Sequence, residues 1–302
     1  MSERTTPSRL QSGIYDLGYR LYDGERLGRT YAVVSLFTYS LRAVFGLGRS
    51  WVAKVFAMGL ALILLLPSFV ILAIAAVTPE EVELRLNYFD FIGLGLVGII
   101  LALFGAVTAP ELIGRDERHQ TLALYFSRAL SRSDYVTAKL GALVCGIFFV
   151  MMTPQLLLLL GNAVATEQIV DYLRENVDEL PLIVASSALT GLMFGSLTMA
   201  IACQTARRAW ATGAVIIYFA MATALGSILL ETVSGDDAGY LLLISPVAIL
   251  QGSVYWIFDD PLPFTSDARQ AGLDSLYYLL AAAVYTLVSI GIVYRRYWRM
   301  AV

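Results

Sequence analysis

Apolar residues gather in seven long runs separated by polar connections, at residues 55–77, 91–109, 140–160, 182–203, 210–230, 241–258 and 276–293. Each run is close to the roughly 20 residues that a helix needs to cross the hydrocarbon core of a bilayer. Ahead of the first run, Val34, Phe37, Leu41, Val44 and Phe45 recur at helical spacing with Arg42 and Arg49 beside them. That pattern predicts an amphipathic helix over residues 31–50 lying in the membrane interface. Residues 1–30 are polar, with Gly13, Gly18, Gly24 and Gly28, and read as a tail with turns. No apolar core occurs in the first 50 residues, so a cleaved signal peptide is not expected.

Composition agrees with the pattern. Hydrophobic residues make up 58% of the 302 positions and charged residues 15%, outside the range of soluble domains. An all-α integral membrane protein follows, with residues 51–302 as one transmembrane domain.

The charges then orient the chain. All but three of the 21 Lys and Arg fall before residue 55, in 110–139, in 204–209 or in the tail after 293, and only Arg85, Arg174 and Arg269 lie elsewhere. The remaining connections are acidic, with Glu80-Glu81, Asp178-Glu179, Asp236-Asp237 and Asp259-Asp260. Basic loops favour the cytoplasmic side, which places both termini there. A full crossing by 241–258 would put the acidic segment 259–274 inside and Arg295-Arg296 outside. Six transmembrane helices are therefore expected, with 241–258, broken by Pro246 and Gly252, forming a re-entrant or outer-surface segment before the sixth. The net charge of −3 averages a basic face and an acidic face and implies no nucleic acid.

Between their ends the six spans carry no ionisable residue, which disfavours an ion-coupled secondary carrier. A single histidine, His119, excludes a two-histidine zinc motif, and no G-x-x-x-x-G-K-[ST] phosphate loop occurs. Neither catalytic residues nor a cofactor or metal site is expected, and any nucleotide energy must come through another subunit. Cys145 and Cys203 read as free packing thiols. Gln155, Asn162 and Gln204 are the unusual polar groups near the bundle ends, where local helix-end hydrogen bonding is expected. Ser187, Gly191 and Gly195 repeat at four-residue spacing, as do Gly98, Ala102 and Ala106, marking close helix packing.

The connection 110–139 carries the most information. Thr108 and Glu111 have capping-box spacing with Pro110 between them, predicting a new helix as the second span ends, and Ser131 with Asp134 repeats the spacing before the third. Arg115, Asp116, Glu117 and Arg118 offer both charge signs, while Leu122, Leu124, Tyr125 and Phe126 offer an apolar face suited to a partner's groove. A solvated juxtamembrane loop is the competing reading.

The run APELIGRDERHQTLALYFSRALSRSDYVTAKL resembles the signature loop of type-2 ABC exporter permeases. Asp116, Glu117 and Arg118 match its charged group, Thr121-Leu122 its Thr-Leu, Ser127-Arg128 and Ser131-Arg132 its Ser-Arg pairs, and Lys139 its lysine. Gln120 stands for the usual Gly and Ala129 for the usual Pro. The phrase YDGERLGRTYAVVSLFTYSLRAVFGLGRS is similar to the start of permeases common in actinobacteria. The resemblance implies the permease subunit of an exporter in a bacterial inner membrane, paired with a second permease copy or paralogue. A separate ABC ATPase subunit would bind ATP and Mg. Glu111, Arg115, Asp116, Glu117, Arg118, Thr121, Leu122, Tyr125, Phe126 and Arg128 would couple to it. Drugs, antibiotics and lipids are among the implied cargoes. A membrane scaffold that gathers partners through the same loop, and a secondary carrier, stay open as alternatives.

Overall fold

The structure is a computed structural model that describes residues 27–48, 51–77, 92, 95–127, 130–165, 169–233, 238–263 and 266–299. Among these residues there are helices and no strand, in the order α1 (Arg29–Val44), α2 (Trp51–Val77), α3 (Leu96–Arg118), α4 (Leu122–Phe126), α5 (Arg132–Ala165) and α6 (Ile169–Glu175). The chain continues through α7 (Glu179–Ala202), α8 (Arg208–Thr232), a 3-10 segment (Ala238–Ile244), α9 (Pro246–Ile257), α10 (Asp267–Gln270) and α11 (Ser275–Arg299). Helices α3, α5, α7, α8 and α11 are long and apolar enough to cross a membrane, and in α2 the apolar part Lys54–Val70 is shorter. The chain is thus a helical membrane protein.

Helices α5 and α7 form the centre of the bundle because small residues let their backbones meet. A Cβ on Gly191 would lie 2.7 Å from the Val144 carbonyl oxygen, and one on Gly195 would lie 3.1 Å from the Val144 Cα. The Ser187, Gly191, Gly195 stripe therefore seats α7 on α5 within one chain. One turn away, Ser186 Oγ donates to Gln155 Oε1 at 3.0 Å and Gln155 Nε2 donates to Ser187 Oγ at 3.1 Å, all three residues fully buried. Gln155 lies inside α5 rather than at its end and also bonds locally, its Nε2 donating to the Met151 carbonyl at 3.4 Å, and Gln204 Nε2 bonds locally to the Ala200 carbonyl at 3.0 Å. Cys145 and Cys203 are free thiols, Cys203 buried.

Helix α1 packs against α5 through Leu36, Ser40 and Val44. Val34, expected on that stripe, points outward with Tyr31 and Tyr39, so the inner face is turned by about one residue from the sequence reading.

The stretch 241–258 is bent by 105° between the 3-10 segment and α9. Ser245 makes the break: its Oγ accepts from the Ala248 N–H at 3.2 Å, with Pro246 in the first turn. The Tyr285 hydroxyl lies 3.3 Å and 3.1 Å from the Leu243 and Ile244 carbonyls, giving these helix-end acceptors a donor. Residues from Pro246 to Tyr255 are all buried, as expected for a broken segment shielded by protein. Gly252 is not a second break. It lies inside α9 as a contact point, where a Cβ would come within 2.2 Å of the Tyr278 ring.

Candidate functional site

At 34 residues, α5 is about 51 Å long, well beyond the roughly 30 Å hydrocarbon core, so polar turns project past its apolar stretch. Its N-terminal turns meet the C-terminal turns of α3 and α11, and the candidate coupling residues lie beside them, on the end of α3 and on α4. The first expected helix start is absent. Helix α3 runs unbroken through Thr108, whose Oγ1 bonds the Phe104 carbonyl of the preceding turn at 2.7 Å, and through Pro110 to Arg118. Pro110 leaves the Ala106 carbonyl without its helical donor, and Thr212 of α8 supplies one at 2.9 Å, which allows the helix to continue. Glu111 therefore faces inward and pairs with Arg208 at 2.9 Å.

Helix α3 ends in a Schellman motif, with the Thr121 N–H bonding the Asp116 carbonyl at 3.1 Å and the Gln120 N–H bonding the Glu117 carbonyl at 3.2 Å. Gln120 occupies the left-handed region at φ 53°, a conformation in which glycine is unstrained and other residues cost about 1–2 kcal/mol.

The turn delivers the chain into α4, whose inner face is fixed by aromatic contacts. Leu122 is buried, and the Tyr125 and Phe126 rings lie 5.7 and 5.9 Å from Tyr135, which in turn lies 5.5 Å from Tyr297 of α11. Ala123, Leu124 and Ser127 face outward, Leu124 with 67% of its surface exposed. Arg132 reaches across to the Trp298 carbonyl at 2.8 Å and lies over the Phe126 ring.

The second expected helix start is present. The Ser131 N–H bonds Asp134 Oδ2 at 2.9 Å and the Asp134 N–H bonds Ser131 Oγ at 3.2 Å, a reciprocal cap with Asp in the acidic role. Arg29 from α1 grips both Asp134 oxygens, at 2.7 and 2.8 Å. Asp134 thus ties the start of α5 to α1 ahead of the apolar stretch of the helix.

Asp116 and Glu117 do not stand out as surface charges. Asp116 Oδ2 accepts from Lys139 Nζ at 2.9 Å and from the Tyr135 hydroxyl at 2.8 Å, and Lys139 also donates to the Leu112 carbonyl at 2.9 Å. Glu117 is half-buried, with the Tyr297 hydroxyl at 3.5 Å and Arg296 near by. Arg115 and Arg118 are exposed, Arg118 with its Nε on the Gly114 carbonyl of its own helix. Thr121 is half-buried and Arg128 lies outside the described residues. Charges at Arg115 and Arg118 and the apolar Leu124 thus share the outer surface, while Glu111, Asp116, Glu117, Leu122, Tyr125 and Phe126 build the platform beneath.

Sequence reasoning did not single out Arg29, Tyr135, Tyr297 or Arg208 as members of this cluster. Aromatic and arginine residues near helix ends are common, and their partners lie far away in the chain. No group of three His, Cys, Asp or Glu among the described residues could hold a metal ion. No protein-family model and no curated protein matches the chain.

Proposed function

We propose that this chain is the permease subunit of an ATP-driven transporter of the type-2 ABC exporter kind, moving an apolar or amphipathic small molecule such as a drug, antibiotic or lipid. It works without catalysis of its own, paired with a second permease copy or paralogue, in a bacterial inner membrane with both termini in the cytoplasm. In this reading α1 lies in the inner interface, α2, α3, α5, α7, α8 and α11 are the six spans, and the bent segment before α11 enters and leaves on the outer face. A separate ABC ATPase docks on α4.

The observation that carries the reading is the short helix α4. It is set between two long apolar helices at the basic end, its inner face locked onto Tyr135 and its outer face left uncovered at Leu124. In this reading movement of a docked partner passes through the ring contacts to Tyr135 of α5 and from there to Tyr297 of α11. The left-handed Gln120 at the family's glycine position supports the same reading.

The test is affinity purification of the full chain from its native membrane, with any ABC ATPase subunit in the eluate identified by mass spectrometry. The two should co-elute, and Leu124→Asp should weaken the complex about thirtyfold or more, since burying a leucine is worth about 1.5–3 kcal/mol and its replacement buries a charge. Absence of co-elution, or equal binding by L124D, would remove the docking role of α4 and leave the scaffold reading.

A further inference from the structure

Three arginines stand together at the end of α11, and of these only Arg296 has an acidic neighbour among the described residues, Glu117. Arg295, Arg296 and Arg299 border a cavity of about 380 Å³ together with Gln204 and Ile292. Arg295 and Arg299 are exposed and form no ion pair among the described residues. Arg296 is held in place, its Nε donating to the Cys203 carbonyl at the end of α7 at 3.2 Å. Gln204 and Ile292 also border a second cavity, of about 430 Å³, which runs between α7, α8 and α11 with walls that include Ile201, Tyr218, Val284 and Val288. The two spaces therefore adjoin, one cationic and one apolar.

The walls run about 12 Å along α11 from Val284 to Ile292, the length of a substantial part of an acyl chain. Val284, Val288 and Ile292 are exposed in the isolated chain. Trp298, 68% exposed, stands among the arginines, where an indole marks the depth of the headgroups. Guanidinium groups present planar paired donors that match phosphate oxygens, and basic pockets between membrane helices on the cytoplasmic side are suited to anionic headgroups.

We infer that this composite groove is a binding site for one anionic glycerophospholipid, its phosphate between Arg295, Arg296 and Arg299 and an acyl chain between α8 and α11. The inference needs only that the chain is embedded in a membrane and is independent of the ATPase partner. A bound lipid here would wedge α7, α8 and α11 at the end of the bundle where α4 is anchored.

Native mass spectrometry of the full-length protein, exchanged into mixtures of phosphatidylglycerol and phosphatidylcholine with identical acyl chains, tests the assignment. One phosphatidylglycerol should be retained at least tenfold over phosphatidylcholine. Losing two surface cations should weaken that retention about thirtyfold in R295Q/R299Q. Val288→Trp, which fills the apolar walls without touching the arginines, should abolish retention, and millimolar inorganic phosphate should not displace the lipid. Equal retention of the two lipids would overturn the site, as would unchanged retention in V288W. Displacement by inorganic phosphate would reduce it to a headgroup-sized anion site and overturn the groove. Spontaneous disulfide dimers of Val288→Cys in membranes would show a second copy covering this face, and would overturn it too.

Discussion

Replacing Asp116 with alanine should destabilise the protein by about 3–5 kcal/mol, the cost of leaving one partner of a buried ion pair uncompensated. Lys139 is 3% exposed and would keep only the Leu112 carbonyl, while the Tyr135 hydroxyl would lose its acceptor. The exposed Arg29–Asp134 pair makes the useful contrast, since a solvent-accessible pair is worth about 0–1 kcal/mol. Denaturant or thermal unfolding in detergent should therefore separate D116A sharply from R29A. Asp116→Leu with Lys139→Leu should recover more than half of the loss, because the desolvated charge is gone along with its partner. If D116A unfolds within 1 kcal/mol of wild type, the pair is not the buried anchor described above. The same reasoning means that charge reversal at Asp116 would report on folding, and docking is better probed at Leu124.

The second large effect is expected at Gly191. A methyl group there meets the Val144 carbonyl oxygen at 2.7 Å and the Phe148 nitrogen at 3.2 Å, both backbone atoms that cannot rotate away. Gly191→Ala should therefore cost about 1–3 kcal/mol through overpacking, and Gly191→Val more. Forcing α5 and α7 apart also stretches the Gln155–Ser187 hydrogen bond, adding up to about 1.7 kcal/mol. Gly213 in α8 has nothing within 4 Å of the same added atom, so Gly213→Ala should stay within about 0.5 kcal/mol of wild type. Equal behaviour of the two variants would contradict the close seating of α7 on α5.

The contrast between these sites shows which features the sequence made legible. Long helices were readable because a run of about 20 apolar residues has few other uses, and five of the expected spans coincide with helices long and apolar enough to cross. The Ser131 to Asp134 cap was readable because both partners lie within one turn. The Thr108 to Glu111 spacing misled for the opposite reason. What decides the path at Pro110 is a hydroxyl on Thr212, about a hundred residues away. In the same way, Asp116-Glu117 reads as surface charge until the register of α3 turns both toward Lys139, Tyr135 and Tyr297. The break at Ser245 and Pro246 was signalled by the proline, whereas Gly252 needed the Tyr278 ring to explain it.

The most direct test of ATPase docking is a contact measurement at the outer face of α4. A photo-reactive benzoyl-phenylalanine at position 124, in the full chain expressed in its native membrane, should under the proposed docking give a crosslinked adduct on illumination in which mass spectrometry finds an ABC ATPase. The same probe at position 280, on the exposed face of α11 in the apolar stretch, should give none. An adduct at 124 that is absent at 280 is the expected result. Adduct formation at neither position, or equally at both, would contradict docking of an ATPase on the short helix between α3 and α5.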